Sequence, residues 1–558
     1  MKTLSVCYDK TEGELAEAYA LLCRHAGLYT ITEADTAADH RIVLSFDLAL
    51  DSEGYEIRAG GDGEIRISGG SFAGLCYGIG RLLHRSPERI GSEKRVPEKA
   101  VRGVYFATHF NNYYQDAPIE KIRDYIEELL LWGCNAVAVW FDCHAFSGFS
   151  DPEAVRMIGR LRTILKTAKD CRMKVTLGML ANEHFYGAPR AYLAENSTDG
   201  TGYRYPLCGF YHTELCPSKP EARRLLLDTR RAVIERFADI GLDNVWLWPY
   251  DQGGCTCKDC RPWGSRGFLD LSAELGKMIK SVSPQTKLTL STWRFDAFTD
   301  GEWDGFLRRF GEIADNFDQL MLDFHSPVIP DALYAVCAKA DMPLWGFPEI
   351  SMLSAVPWGG FGAVPVPCSL YETYRQTKDR HSGGMLYSEG IFEDLNKAVM
   401  LSLYFGETEL SDIVGDYCRY YFGEEAAPDV CRLVFLLEKT LPRHRCRENG
   451  AFDDYPREDV VTVLPQFILR FPETCGEALA LAERIRASLP EQIAGSDRFR
   501  LLYLRAVIDA ELASHDGNLT EPIEEAAQEL VRISYAERAD YAVSPITKDA
   551  IYHNRGHI

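Results

Sequence analysis

Carboxylates, amides and tryptophans collect at the ends of apolar runs in the middle of this chain. The densest case is NVWLWPYDQGGCTCKDCRPWG, Asn244 to Gly264. Val245 to Tyr250 reads as a buried strand that stops at a proline. Asp251 and Gln252 follow, then two glycines, then Cys255, Cys257 and Cys260. A carboxylate leaving a buried strand into a glycine turn is rigidly based yet open to a cleft, which suits catalysis. The same arrangement recurs along the chain. Other apolar runs end near His109 and Asn111, near Asp142, at Glu183, at Trp293, at Asp323 and His325, at Trp345 and Glu349, and at Tyr387 and Glu389. Aromatic faces beside carboxylates and amides are what a sugar needs: its C–H face stacks while its hydroxyls bond to charged and amide groups. Glycoside hydrolysis further requires one carboxyl group to protonate the leaving oxygen and a second to attack or to activate water. Asp251 and Glu349 are the first candidates for that pair, with Glu389 next. Any one such residue could instead cap a helix or anchor a loop; their joint occurrence favours the functional reading.

The elements that must hold these residues are regular. From Val101 onwards, VRGVYFA, NAVAVWFD, KVTLGML, NVWLWPY, KLTLSTW, QLMLDFH, MPLWGF and GGMLYSE read as strands, with amphipathic helical segments between them. The strands are apolar along their whole length, as a parallel sheet covered on both faces requires. Eight such units predict an α/β chain built on a (β/α)₈ TIM barrel, whose reacting groups sit at the C-terminal strand ends. An open doubly wound sheet is the alternative, weakened by the lack of a glycine-rich phosphate fingerprint after the first strand. Residues 1–98 alternate short strands and helices and predict a small α/β domain, closed by a polar linker, SPERIGSEKRVPEKA. The barrel is expected over 99–406. Residues 407–558 carry only helical periodicity and predict a helical C-terminal domain that offers a surface for self-association.

Composition narrows the partners. A formal net charge of −21 over 558 residues argues against nucleic acid and anionic membranes, which need a basic face. The first residues lack a signal-peptide pattern and no run of roughly 18 apolar residues occurs, so a cytoplasmic location is expected. The 17 cysteines are dispersed and odd in number, which predicts reduced, mostly buried thiols. The cluster at Cys255, Cys257 and Cys260 admits two readings. It could hold a structural zinc, with Cys208, Cys216 or His212 as fourth ligand, or it could pack its loop as free thiols. No cofactor is required for the chemistry.

Several segments also resemble a known group. EGYEIRAGGDGEIRISGGSFAGLCYGIGRLLH resembles the small N-terminal domain preceding the barrel in family 20 hexosaminidases and family 67 glucuronidases, and RGVYFATHF resembles their opening barrel strand. YDQGGCTCKDC is similar to the strand-four segment of family 163 endo-β-N-acetylglucosaminidases and their relatives, and GDYCRYYFG to the start of their helical region. The chain thus resembles the hexosaminidase superfamily of glycoside hydrolases. That resemblance implies cleavage of a β-linked sugar, with an N-acetylhexosaminide as the leading substrate class. It implies an Asp-Glu pair after strand four as well, and here the pair is Asp251 and Gln252. Either Asp251 is itself the acid, or Glu349 or Glu389 has taken over. Arg102, His109, Asn111, Asp142, Glu183, Trp248, Tyr250, Gln252, Trp293, Asp323, His325, Trp345 and Tyr387 are the expected substrate contacts. Two other classes stay open: a metal-dependent barrel lyase or isomerase using Glu183, Asp323 and His325, and a non-catalytic carbohydrate-binding protein, suggested by Gln252.

Overall fold

The computed structural model describes residues 2–33, 38–61, 63–109, 112–204, 207, 213–250, 253–322, 330–348, 350, 362–440, 474–515 and 518–535. The N-terminal part is a mixed sheet of β1 (Lys2–Cys7), β2 (Tyr29–Glu33), β3 (His40–Phe46), β4 (Tyr55–Ala59), β5 (Glu64–Gly69) and β6 (Glu93–Arg95), in the order β2-β1-β3-β5-β4-β6. Its helices are Gly13–Arg24 and Phe72–Arg85. One expectation is corrected here. The polar segment read as a linker contains β6, which pairs antiparallel with β4 at the sheet edge.

Eight strands then close a barrel in chain order: β7 (Val101–Phe106), β8 (Ala136–Trp140), β9 (Lys174–Leu180), β10 (Asn244–Trp248), β11 (Lys287–Ser291), β12 (Gln319–Leu322), β13 (Leu344–Gly346) and β14 (Gly383–Ser388). Every pairing is parallel, including β14 to β7, which completes the circle. The expected TIM barrel is present and the open sheet is excluded. Closure between β13 and β7 depends on two glycines. A side chain on Gly383 would meet Val101 O at 1.8 Å and one on Gly384 would meet Gly346 O at 2.1 Å; Gly383 also has φ +109°.

Alternation along each strand sends every second residue into the barrel. At its lower end Asn244, Thr289 and Gln319 bond to one another, Thr289 Oγ1 and Gln319 Nε2 donating to Asn244 Oδ1 at 3.0 and 3.2 Å. Trp246 fills the barrel above them and Trp248 tops the same strand. Among the described residues the helical C-terminal region contains Leu410–Phe422, Ala427–Thr440, Thr474–Ser488, the short Glu491–Ala494, Asp497–Ser514 and Glu521–Ser534. Among the described residues no helix is long and apolar enough to cross a membrane.

Candidate active site at the barrel mouth

The strand ends of β8 and β9 carry a charged network. After Trp140 the chain passes Asp142 into a single helical turn, Cys143–Ala145, which brings His144 over the end of β9. The His144 backbone N–H donates to Glu183 Oε1 at 3.0 Å, and its Nδ1 lies 2.6 Å from the same oxygen. Arg230, fully buried on helix Pro220–Phe237, holds the other side of Glu183. Its Nη2 donates to Leu180 O and Glu183 O at 2.6 Å, with Glu183 Oε2 at 3.4 Å. Burial opposes the charge on both partners, and the pairing overcomes it. His144 is lifted to about 9 against desolvation by Asp142 and Glu183. Glu183 is held below its usual range, its burial outweighed by His144 and Arg230. His109, nearby, goes the other way: burial, then the charge on His144, press it down to about 3, and its neutral ring meets the Tyr105 hydroxyl at 3.0 Å.

Ligand atoms of Asp142, His144 and Glu183 lie within 4.8 Å of one another. The guanidinium of Arg230 against Glu183 supplies the positive charge a metal would bring, so this trio is an ion-pair network as built. Beside it stands a carboxyl that the sequence reading missed. Glu214, in the loop after β9, is buried; its Oε2 accepts from Thr213 N at 3.1 Å and its Oε1 has no partner among the described residues. Desolvation, with the Glu183 charge adding to it, lifts Glu214 to about 8, which keeps it protonated at neutral pH.

Aromatic side chains pave the mouth. Trp248 packs against Trp293 at 5.3 Å, Phe347 at 5.0 Å and Trp140 at 6.0 Å between ring centroids. Phe347 continues to Tyr387 at 5.8 Å, and Tyr387 to Tyr105 at 5.7 Å. Strands one, two, four, five, seven and eight therefore share one buried aromatic cluster. Phe347, unremarked in the sequence, is central to it. Trp345, two residues before Phe347, shares its inward face by strand alternation. Among the described residues the indole N–H groups of Trp293 and Trp345 are buried without a hydrogen-bond partner. Arg294 lies 4.6 Å above the Trp293 ring, at φ +55° in the turn after β11.

On β14 the Tyr387 hydroxyl donates to Glu389 Oε1 at 2.9 Å. Glu393 fixes the backbone that presents this carboxylate, accepting from Glu389 N at 2.6 Å, Gly390 N at 2.8 Å and Ser388 Oγ at 2.7 Å.

Two expected sugar contacts are placed elsewhere. Arg102 stands at the start of β7, at the opposite end of the barrel, with no exposed surface. Its guanidinium donates to Gly133 O and Lys99 O at 2.7 Å, to Glu53 Oε1 at 2.9 Å and to Tyr77 Oη at 3.1 Å. It ties the barrel floor to the N-terminal domain. Tyr250 is likewise fully buried: its hydroxyl donates to Glu302, which also accepts from Gly264 N at 2.6 Å and Asp296 N at 3.1 Å. It pins the loop from beneath. Asn111, Asp251, Gln252, Asp323, His325 and Glu349 lie outside the described residues.

The cysteine cluster is compact. Cys255, Cys257 and Cys260, all buried, are joined by Cys216 from the loop after β9, and the four sulfur atoms lie within 4.8 Å of one another. Cys208 and His212, the other fourth-ligand candidates, are outside the described residues.

No protein-family model matches this chain, and no curated protein does. Solved structures do. The chain is similar to a GH138 enzyme targeting pectin rhamnogalacturonan II, with TM-score 0.57 and 12% identity over 96% of this chain and 74% of that one. A family 89 glycoside hydrolase from Clostridium perfringens in complex with PUGNAc gives TM-score 0.54 and 13% identity, covering 93% of this chain and 64% of its own. The GH20 β-N-acetylhexosaminidase from Streptomyces coelicolor A3(2) gives 0.50 and 13%, over 75% and 91%. At such identities the likeness is one of fold.

Proposed function

We propose that this chain is a glycoside hydrolase that cleaves a β-linked sugar, with an N-acetylhexosaminide as the first substrate class, by carboxylate acid–base chemistry at the barrel mouth. The observation that carries this reading is the aromatic cluster of Trp140, Trp248, Trp293, Phe347 and Tyr387 at the strand ends, each ring residue only 3–7% exposed, with the Glu389 carboxylate at its edge. Aromatic rings at the strand ends are the groups on which a pyranose face stacks. The Trp293 and Trp345 N–H groups and the His109 ring are the proposed contacts to sugar hydroxyls. Support also comes from the solved structures that share the fold, which are glycoside hydrolases. The similarity of YDQGGCTCKDC to the family 163 strand-four segment adds to the N-acetylhexosaminide reading.

Asp251, which follows β10 in the chain, and Glu349, which follows β13, are the proposed catalytic pair, with Glu389 the third carboxylate. One protonates the glycosidic oxygen as the bond breaks; the other attacks the anomeric carbon or deprotonates the attacking water. No cofactor enters these steps. A panel of aryl β-glycosides, including N-acetylated and uronic sugars, tests the proposal with Asp251→Asn and Glu349→Gln alongside. Turnover of an N-acetylated member, falling by roughly 10²-fold or more in each variant, is expected. Full activity in both variants overturns the pair, and binding without hydrolysis across the panel overturns the enzyme.

A further inference from the structure

We propose that Cys216, Cys255, Cys257 and Cys260 bind one zinc ion as a closed tetrathiolate site that clamps the loop after β9 to the loop after β10. Thiolates at about 2.3 Å from a tetrahedral zinc stand about 3.8 Å apart. Cys216 Sγ lies 3.8 Å from Cys257 Sγ and 3.9 Å from Cys260 Sγ, and all four sulfurs fall within 4.8 Å. A disulfide would need about 2.05 Å. The four sulfurs are thus spaced for a shared ion, which neither paired nor merely packed thiols require.

The surroundings fit thiolates. Glu195 N donates to Cys255 Sγ at 3.4 Å, and the Ser218 hydroxyl stands 2.9 Å from Cys216 Sγ and 3.6 Å from Cys257 Sγ. Donors to sulfur of this kind orient metal-bound cysteines. The backbone is already preformed: Cys260 N donates to Cys257 O at 3.1 Å and Gly267 N to Cys260 O at 3.0 Å. Asn182 stitches the same two loops, its side chain donating to Leu215 O at 3.1 Å and Gly254 O at 2.8 Å while accepting from Gly254 N at 3.0 Å. Four thiolates complete the coordination and leave no position for water, so the ion serves structure and not hydrolysis. Its place matters to the mouth, since Glu214 lies two residues before Cys216 and Asp251 four before Cys255.

The test is chemical and independent of any glycosidase activity. The full chain, purified without chelator, is assayed for metal by mass spectrometry, and zinc release is followed as an organomercurial titrates the thiols. About one zinc per chain is expected, released as four thiols react. Cobalt substituted into the wild-type chain should give the intense visible bands of a tetrahedral tetrathiolate, which requires no variant to fold. Cys216→Ser should lose the zinc or bind it at least tenfold more weakly. Stoichiometric iron in place of zinc, a metal-free chain with all thiols reactive, a pair of disulfides, or zinc that persists in Cys216→Ser each overturns the proposal.

Discussion

His144 should remain protonated in the folded chain until pH rises to about 9, against 6.5 for an ordinary imidazole. Desolvation alone would drive the value down; Asp142 and then Glu183, 2.6 Å from Nδ1, drive it up further. The interval from 6.5 to about 9 corresponds to roughly 3 kcal/mol of preference for the charged ring. Because the folded value is the raised one, this stabilisation is fully present below pH 6.5 and is lost as pH climbs through about 9. The imidazole resonances followed by NMR across pH 5 to 10 give the titration directly, and denaturant unfolding over the same range gives the linked stability. Glu183→Gln keeps the shape and removes the charge, so His144 should titrate well below the wild-type value in that variant. A wild-type midpoint at or below 6.5, or a midpoint unmoved by Glu183→Gln, would refute the ion-pair account of this corner of the site.

Three further outcomes separate structural from functional residues. Arg102→Met removes the partner of Glu53 and four guanidinium hydrogen bonds, and should destabilise the chain by about 3–5 kcal/mol in denaturant titration while leaving KM for any substrate found unchanged. Glu389→Gln should lower kcat by roughly 10²–10⁴-fold if its carboxylate acts on substrate, with the melting temperature unaltered; a shift in Tm without loss of kcat would assign it to the loop. Trp293→Phe removes a buried donor that has no partner among the described residues but empties the space where the indole packs on Trp248, so stability should fall by about 1–3 kcal/mol, and KM should rise as well if that N–H binds a hydroxyl.

The barrel was legible because parallel strands covered on both faces must be apolar throughout, and VRGVYFA to GGMLYSE each supplied one strand in order. The three-residue β6 was not, since an edge strand as polar as Glu93–Arg95 has the composition of a linker. Arg102 was misassigned by its type, although its place carried the correct signal: it is the second residue of its strand, and catalytic positions follow strand ends. Tyr250 does follow a strand end, and there only the packing of Glu302 beneath it decides its role. Glu214 lay in a loop with no periodicity, and its protonation depends on burial beside Glu183, a neighbour distant in sequence. Cys216 was one of three open choices for the same reason, since chain separation says nothing of which loop residue reaches across. The failures at Glu214 and Cys216 therefore share a cause. The loop after β9 is held from one side by the His144–Glu183–Arg230 network and from the other through Asn182 and the cysteines, with Glu214 between them. A carboxyl kept neutral at such a junction owes its state to burial and to the Glu183 charge beside it. Glu214 titration in Glu183→Gln tests this account: removing the neighbouring negative charge should lower the Glu214 pKa, and a value unmoved in that variant refutes it.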